Sequence, residues 1–310
     1  MLPQQFEKIT TRGVKGMILA RLDTGGSAWI NRVAMRMTTD QASEEYAWMG
    51  TPPALREFIG NRSPVELKEL SFVITNKDYE GSITIKSKDM RRDKLGMINV
   101  RVNQLADRAL DHPAKLLSTL IINGEGTVCY DGQYFFDTDH AEGESGTQSN
   151  DIGAGAASAT APTTAEMSDA IMAAIQAIVG FKDDRGEPMN QSASEFDVMV
   201  PVPYMKSAMM AVTALLGSSG GSNTIPALKD NFKVNVVVNP RLTWTTKMAV
   251  FRVDDAAKSF IVQEEDIPDV VALGEGSEYE QLNREQLFGI DWTGNVGYGY
   301  WQHACLVTFS

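Results

Sequence analysis

The chain has 310 residues, of which 43% are hydrophobic and 22% are charged, and this supports one large domain or two modest ones. Its formal net charge is -12 and it has no block rich in lysine and arginine, which argues against tight, sequence-independent binding to nucleic acid. No run of about 18 apolar residues occurs and the N-terminus is polar, so we expect no membrane span, no signal peptide and residence in the cytoplasm.

The first 62 residues mix short amphipathic stretches with backbone breakers such as Gly25 and Gly26. This pattern is typical of an extended arm with helical pieces. An arm of this kind buries too little surface against itself to offset its conformational entropy, so we expect the same subunit or a neighbouring one to cover it. Its candidate anchors are Trp29, Trp48 and Phe58.

A candidate β-hairpin follows at residues 70–86, LSFVITNKDYEGSITIK. Phe72 and Ile74 lie two positions apart, as do Ile83 and Ile85, and the polar stretch between them predicts a tip at residues 76–82. Each strand has only a few apolar positions, so the hairpin is marginal in isolation. We therefore expect a projecting loop that another surface stabilises.

The clearest element is a long helix over residues 95–122. Its apolar residues recur at alternating spacings of three and four, which places them on one stripe. Pro113 predicts a kink or a restart, and Asn123 with Gly124 predicts the C-terminal stop. The segment is therefore one kinked helix or two abutting ones. The stripe begins with Leu95, Ile98, Val102, Leu105 and Ala109.

The rest of the chain mixes helices and strands. Residues 141–164 are small, polar and glycine-rich, which predicts poor order and a subdomain junction. The order of elements favours an α+β fold over a regular βαβ alternation. Helices are expected at 165–179 and 204–216, strands at 195–200, 232–238, 248–253 and 259–263, a flexible loop at 217–222, and one or two final strands after residue 287.

Four segments carry specific motifs that span most of the chain. They are YEGSITIKSKDMRRDKLGM at 79–97, CYDGQYFFDTDH at 129–140, VMVPVPYMKSAMMAV at 198–212 and NPRLTWTTKMAVFRVDDAAKSFIVQEE at 239–265. In this order they resemble the major head subunit of Mu-like phages, the T protein family, a major capsid protein of the Hong Kong 97-like fold class. The first sixty residues match that family least distinctly.

The resemblance implies a Hong Kong 97-like phage capsid fold with its domains in a fixed order. Residues 1–62 would form the N-terminal arm and 63–92 the extended loop, a β-hairpin. Residues 93–164 would form the peripheral domain with a long spine helix and an adjoining loop. The axial domain and the closing strands, which return to the peripheral domain, would occupy 165–275 and 276–310.

In such capsids the extended loop lies over a neighbouring subunit, which implies inter-subunit contacts. Arg91 and Arg92, with Asp93, either fork onto carboxylates of an adjacent subunit or form an intrachain ion pair at a helix end. Some capsids of this class form lysine-asparagine crosslinks, but Lys77 alone gives no basis for one and we predict none. The full set of candidate contacts is Asn76, Lys77, Asp78, Tyr79, Glu80, Arg91, Arg92, Asp93, Trp29 and Trp48.

One cluster has the residue types of an enzyme site. Cys129, Asp131, Asp137, Asp139 and His140 could in principle hold a metal, and Cys129 with His140 could in principle form a nucleophilic pair. The intervening residues 134–136 read as a short buried strand, and no nucleophile-elbow context surrounds the cysteine. Structural roles are therefore preferred, with Cys129 and Cys305 reduced and no disulfide or zinc site.

Other motifs predict no cofactor. GSSGG at 217–221 lacks the lysine and hydroxyl residue of a phosphate-binding loop, and the glycines at 153–155 precede no dinucleotide-binding unit. The acidic runs at 264–266 and 274–280 lack the spacing of an EF-hand loop and predict a solvated face.

The expected function is self-assembly, without a cofactor, into hexamers and pentamers of an icosahedral head that encloses double-stranded DNA without sequence-specific binding. The resemblance implies a separate scaffolding protein, a portal and a decoration protein as partners. It also implies assembly in the bacterial cytoplasm and residence in the virion capsid. The alternatives are an encapsulin-like compartment shell and a soluble metal-dependent hydrolase using Asp137, Asp139 and His140.

Overall fold

The computed structural model describes residues 11–22, 25–46, 72–90, 92, 96–213, 232–266 and 268–310. The described α-helices are α1 Thr11–Leu22, α2 Ile30–Val33, α3 Ser87–Met90, α4 Met97–Leu110, α5 His112–Ile122, α6 Thr164–Gly180, α7 Met205–Thr213 and α8 Glu278–Asn283. The strands are β1 Ala34–Thr38, β2 Ser43–Tyr46, β3 Phe72–Thr75, β4 Lys77–Lys86, β5 Asp151–Ala154, β6 Glu195–Val200, β7 Lys233–Val238, β8 Lys247–Arg252, β9 Phe260–Glu264, β10 Asp269–Leu273, β11 Glu285–Tyr298 and β12 Ala304–Phe309.

Two five-stranded sheets organise these elements. The first sheet has the order β1-β9-β11-β10, with β4 on the other edge of β11, and the second has the order β5-β12-β8-β6-β7. Parallel and antiparallel pairs occur in both sheets, and β2 with β3 forms a separate two-stranded ribbon. This arrangement confirms the predicted α+β class.

The described residues form two hydrophobic cores. The larger core packs α5, α6 and α7 against the second sheet and also takes in residues of β9, such as Phe260. The smaller core lies between helices α1 and α4 and the strands β10 and β11, where Val14, Val102 and Phe288 are fully buried. Burial of a side chain of this size contributes roughly 1.5–3 kcal/mol, so each core can support a lobe of the molecule.

The long helix forms as two abutting helices, which is one of the two predicted outcomes. Ile98, Val102 and Ala106 of α4 are buried on one face, in agreement with the predicted stripe. The break falls at Asp111, and Pro113 lies in the first turn of α5, where a residue without an N–H group is tolerated. A 3-10 turn at Asn123–Glu125 ends α5 at the predicted stop.

The predicted hairpin at residues 70–86 is wrong. Its first strand, β3, pairs with β2, and its second strand, β4, pairs along its whole length with β11. The expected polar tip lies inside β4, because Tyr79, Gly81, Ile83 and Ile85 alternate with exposed residues without interruption. Strand β11, the partner of β4, is about two hundred residues away in sequence. A prediction from the local pattern therefore places a turn where the alternating residues only become more polar.

The N-terminal arm is covered by its own subunit over the described residues. Helix α1 packs on α4 and β10 through Val14 and Ile18, and β1 pairs in parallel with β9. Arg32 of α2 joins the arm to the second sheet, since its guanidinium donates to both carboxylate oxygens of Asp197 at 2.7 and 2.6 Å. Trp29 packs against the larger core, whereas Trp48 and Phe58 lie outside the described residues.

The glycine-rich segment 141–164 is ordered, which corrects the prediction. Residues 151–154 form β5, which pairs in parallel with β12 at the edge of the second sheet, and Asn150 before it is fully buried. Main-chain pairing supplies the order that the small side chains lack. The predicted helix after it is α6, and Thr163 caps it in a reciprocal box with Glu166.

The predicted strands at 195–200, 232–238, 248–253 and 259–263 and the closing strands are confirmed as β6 to β9, β11 and β12. The helix expected at 204–216 is confirmed as α7 up to Thr213, and the loop 217–222 lies outside the described residues. None of the described helices combines the length and the apolarity needed to cross a bilayer. The proposed domain boundaries remain predictions.

Candidate inter-subunit surface

Asn76, a predicted inter-subunit contact residue, forms its hydrogen bonds within its own subunit. Its amide nitrogen donates to the carbonyl of Gln41 at 2.9 Å and to Glu265 at 3.0 Å, and its amide oxygen accepts from Gln263 at 2.7 Å. Its backbone N–H donates to the carbonyl of Ala42 at 2.8 Å. These bonds bend the chain between β3 and β4, so the side chain serves the fold of its own subunit.

Lys77, Asp78 and Glu80 are exposed on β4. Asp78 accepts a hydrogen bond from the hydroxyl of Thr293 at 2.9 Å, and Glu80 accepts one from the hydroxyl of Ser82 at 2.8 Å. Neither carboxylate forms an ion pair with a cation of the described residues. These three side chains stay available to a neighbour, and their role in inter-subunit contact stays a prediction.

Tyr79 belongs to an aromatic cluster within the subunit. Its ring lies 4.3 Å from that of His112 at the start of α5 and 5.5 Å from that of Trp292 on β11. Burial raises the pKa of Tyr79, and burial followed by the nearby charge of Lys115 lowers the pKa of His112. The cluster ties β4 to α5 and β11, which accounts for Tyr79 without a neighbouring copy.

The remaining predicted contacts divide between exposed and undescribed positions. Arg92 is exposed, and its backbone N–H donates to the carbonyl of Asp89 at 3.0 Å. Arg91, Asp93 and Trp48 lie outside the described residues, so the choice between an inter-subunit fork and an intrachain ion pair remains open. Trp29 is half-buried against the larger core.

The enzyme-like cluster is a buried hydrogen-bond network. The Nδ1 atom of His140 lies 2.6 Å from Asp131, and the thiol of Cys129 donates to the same carboxylate at 3.0 Å. Burial raises the pKa of Asp131, but the hydrogen bonds from His140 and Cys129 outweigh it, so the net shift is downward. Burial also raises the pKa of the Cys129 thiol, which keeps it protonated and unreactive.

The second nitrogen of His140 is also occupied. Its Nε2 atom lies 3.2 Å from the amide oxygen of Asn150, whose amide nitrogen donates to the carbonyl of Phe135 at 2.8 Å and is therefore fixed in orientation. The imidazole stacks on Trp301 at 3.9 Å. Cys129, Asp131 and His140 do bring three ligand atoms within 4.8 Å of one another, but each already has a partner, which supports a structural role. The predicted strand at 134–136 is instead an irregular segment with Phe135 and Phe136 buried.

The sequence reading missed an exposed apolar face on α7 and the turn before it. Met205, Met209 and Met210 are 43%, 40% and 45% exposed, and Val202 is 53% exposed. The opposite side of α7 buries alanines in the larger core. Lys206 and Thr213 are exposed on the same side, so this face is rich in methionine and includes two polar residues. The spacing of the methionines in VPYMKSAMMAV already indicates it.

The comparison with known families supports the predicted resemblance. Residues 12–162 match the family "Mu-like prophage major head subunit gpT". The match includes the motifs at 79–97 and 129–140 but not those at 198–212 and 239–265. It also begins at residue 12, so the first sixty residues carry more of the family's pattern than their motifs alone indicate.

Two curated relatives and one solved structure extend this finding. The Mu-like prophage FluMu major head subunit of Haemophilus influenzae is 34% identical over 111 residues, and the major capsid protein of Escherichia phage Mu is 33% identical over 110 residues. Each alignment covers 36% of this chain and 36% of the relative, so it spans about a third of those proteins. A chain from the procapsid of bacteriophage JBD30 is 21% identical with a TM-score of 0.56, over 95% of this chain and 72% of that one.

The matched proteins are all named as head or capsid proteins, in agreement with the expectation of a structural protein and not an enzyme. The resemblance to the Mu-like major head subunits is thus confirmed over residues 12–162, and the fold of the chain is the Hong Kong 97-like fold of a phage capsid protein.

Proposed function

We propose that the chain is the major capsid subunit of a Mu-like phage or prophage and self-assembles into an icosahedral shell. The observation that carries the proposal is the match of residues 12–162 to the major head subunit family. A capsid fold over 95% of the chain supports the same function for the part beyond the match. Repeated contacts around local symmetry axes would drive the assembly, without a cofactor.

The apolar face of α7 gives the proposal a physical basis. Val202, Met205, Met209 and Met210 are exposed in the single subunit, and such a patch is unfavourable in water unless a partner covers it. Methionine side chains adapt to irregular surfaces, which suits contacts that must form around both fivefold and sixfold axes. We assign this face to a second copy of the chain.

The shell would enclose double-stranded DNA without reading its sequence. The net charge of -12 disfavours tight binding to phosphates, so the enclosed genome would remain mobile for packaging and release. A separate scaffolding protein, a portal and a decoration protein complete the proposed set of partners. Assembly would take place in the bacterial cytoplasm, and the product would be the virion capsid.

The two alternatives are weaker. A hydrolase would need a free nucleophile or metal ligand, whereas Cys129, Asp131 and His140 are held in a buried hydrogen-bond network. An encapsulin-like compartment shell shares the fold class, but the family match is to phage head subunits. Genes for phage morphogenesis beside the coding sequence would distinguish a phage head from a compartment shell.

Negative-stain electron microscopy of the purified protein tests the proposal. We expect rings, sheets or closed shells, and small discrete particles under all assembly conditions would contradict it. The variant Met205→Glu/Met209→Glu should remain folded by circular dichroism but lose assembly, because it places carboxylates on the apolar face of α7. Leu282→Glu is the matched control, since Leu282 is 76% exposed on α8 and its replacement should leave assembly intact.

A further inference from the structure

A cationic groove runs between β4 and the helices α4 and α5. Arg101, Arg108 and Lys115 line it at intervals of seven residues, which places them along one side of the two helices. All three are exposed, and none forms an ion pair with a carboxylate of the described residues. The groove has a volume of about 670 Å³, and Glu80 lies on its rim. The groove is therefore cationic, whereas the chain as a whole has a net charge of -12.

The groove also contains a buried donor without an acceptor. Trp292 is 5% exposed and lines the groove, and its indole nitrogen has no hydrogen-bond partner among the described residues. The Nε2 atom of His112, which lines the same groove, likewise lacks a partner there. An indole N–H only donates, and leaving it unpaired in a buried position is unfavourable. Both atoms are enclosed within the subunit, so it is the three exposed cations that select an anionic ligand.

The same chain carries a matching set of carboxylates, which we call the acidic ladder. Glu80 on β4 lies opposite Asp291 on β11, and Asp291 lies opposite Asp269 on β10, so three carboxylates stand side by side across adjacent strands. All three are exposed, on the sheet face opposite the buried Val270 and Ile290.

Like charges directly opposite one another destabilise a sheet. The surrounding surface, a groove of about 990 Å³, adds Asp78, Glu265 and Asp266 and contains no lysine or arginine. Glu80 also lies on the rim of the cationic groove, whereas Asp291 and Asp269 have no lysine or arginine among the residues that line this surface.

We propose that the cationic groove of one subunit binds the acidic ladder of a second copy of this chain. The inference rests on the proposed function, because it names one of the contacts through which the subunits would assemble. The contact is heterologous, with different surfaces on the two copies, and it can propagate around a ring. Carboxylates of the ladder pair with the exposed cations Arg101, Arg108 and Lys115.

The spacing of the carboxylates in the acidic ladder matches the spacing of the arginines in the cationic groove. Two strand spacings separate Glu80 from Asp269, which is roughly 10 Å. Arg101 and Arg108 are seven positions apart along α4, a distance that is also roughly 10 Å along the helix axis. Guanidinium groups bind carboxylates in a fork, so a match in spacing lets two pairs form at once.

A divalent metal ion is a poorer occupant of the ladder. Of the described residues, only Cys129, Asp131 and His140 bring three candidate ligand atoms within 4.8 Å of one another. The ladder carboxylates are spread across three strands, which suits several separate cationic side chains better than one ion. DNA is a poorer occupant of the groove. The chain has a net charge of -12, so its surface outside the three cations of the groove repels phosphates.

Charge reversal tests the contact by its complementarity. Arg101→Glu/Arg108→Glu and Asp269→Lys/Asp291→Lys should each leave a folded subunit and lower the yield of shells by about tenfold or more, because like charges then face each other. The chain that carries all four substitutions restores opposite charges with reversed polarity and should assemble again. Lys182→Glu/Arg185→Glu changes the net charge as the arginine variant does and should assemble like the unmodified chain.

The outcomes separate the inference from the proposed function. If the unmodified chain forms no shells, the proposed function fails. If it forms shells and the arginine variant forms them equally well, the inference fails and the function stands. The inference also fails if the chain with all four substitutions does not regain assembly, or if the Lys182 and Arg185 control variant loses assembly as well. It fails likewise if chelation of divalent ions dissolves the shells, or if the arginine variant assembles but retains less DNA.

Discussion

His303 is buried beside the second sheet, and its Nε2 atom lies 3.8 Å from a carboxylate oxygen of Asp255, which is too far for a hydrogen bond. Burial, followed by the charge of Arg252, lowers the pKa of His303 to about 4. The unfolded chain has a histidine pKa of about 6.5, so between these two values the unfolded state binds more protons than the folded one. Protonation of His303 at low pH therefore destabilises the folded state relative to the unfolded state.

The pH dependence of unfolding tests this assignment. The stability associated with neutral His303 is complete above pH 6.5 and is lost as the pH falls toward 4, by at most about 3 kcal/mol. Replacing His303 with leucine should flatten the dependence of the urea midpoint on pH over this range. The same slope in the variant and in the unmodified subunit would contradict the assignment.

The network around His140 makes a second prediction for a single residue. Asp131→Asn removes the carboxylate that accepts from both His140 and Cys129, and breaking a buried pair costs about 3 kcal/mol. Urea unfolding at neutral pH should show this loss. Asp139→Asn, at an exposed position nearby, is the control and should change the stability by less than about 0.5 kcal/mol. A similar small effect for both variants would contradict a structural role for the network.

At the scale of elements, the apolar face of α7 predicts a difference between free and assembled subunits. Met205, Met209 and Met210 are exposed, whereas Met167, Met199 and Met248 are fully buried. Mass spectrometry after brief treatment with hydrogen peroxide should detect sulfoxide on the first three in free subunits and protection of them in assembled particles. The buried methionines should resist oxidation in both states. Equal oxidation of the α7 methionines before and after assembly would exclude this face from the contact.

The elements also separate what local pattern can predict from what it cannot. The stripe of α4 and α5 depends on residues a few positions apart, so the sequence reveals it. The capping box of α6 is equally local, but the prediction of that helix rested on its apolar spacing and did not include the box. Strand β4 pairs with β11, whose register depends on packing far along the chain, and the predicted hairpin failed for that reason. Strand β5, DIGA, has no strand pattern of its own and forms because β12 offers a free edge.

The candidate surface was predictable only in part, for a related reason. Exposed Lys77, Asp78 and Glu80 were identified as contact candidates, but the ladder that Glu80 forms with Asp291 and Asp269 arises from strand register. Asn76 and Tyr79 were expected at a loop tip and instead hold the subunit together. A polar or aromatic residue can contact its own subunit or a neighbouring one. The sequence alone does not distinguish these two cases.

At the scale of the whole molecule, the described residues pack around two hydrophobic cores and leave several surfaces incomplete. The apolar face of α7, the cationic groove and the acidic ladder each lack a complement within the described part of the subunit. Repeated copies of one chain can complete all three. An assembly of identical subunits therefore accounts for features that a lone protein of this charge and size would not need.

Cryo-electron microscopy of the purified, assembled protein tests this account most directly. It predicts closed shells with icosahedral symmetry, in which a single copy of the fold repeats around fivefold and sixfold positions and neighbouring copies cover the α7 face. A homogeneous population of monomers or small oligomers, under every salt and concentration condition at which the chain stays folded, would contradict it.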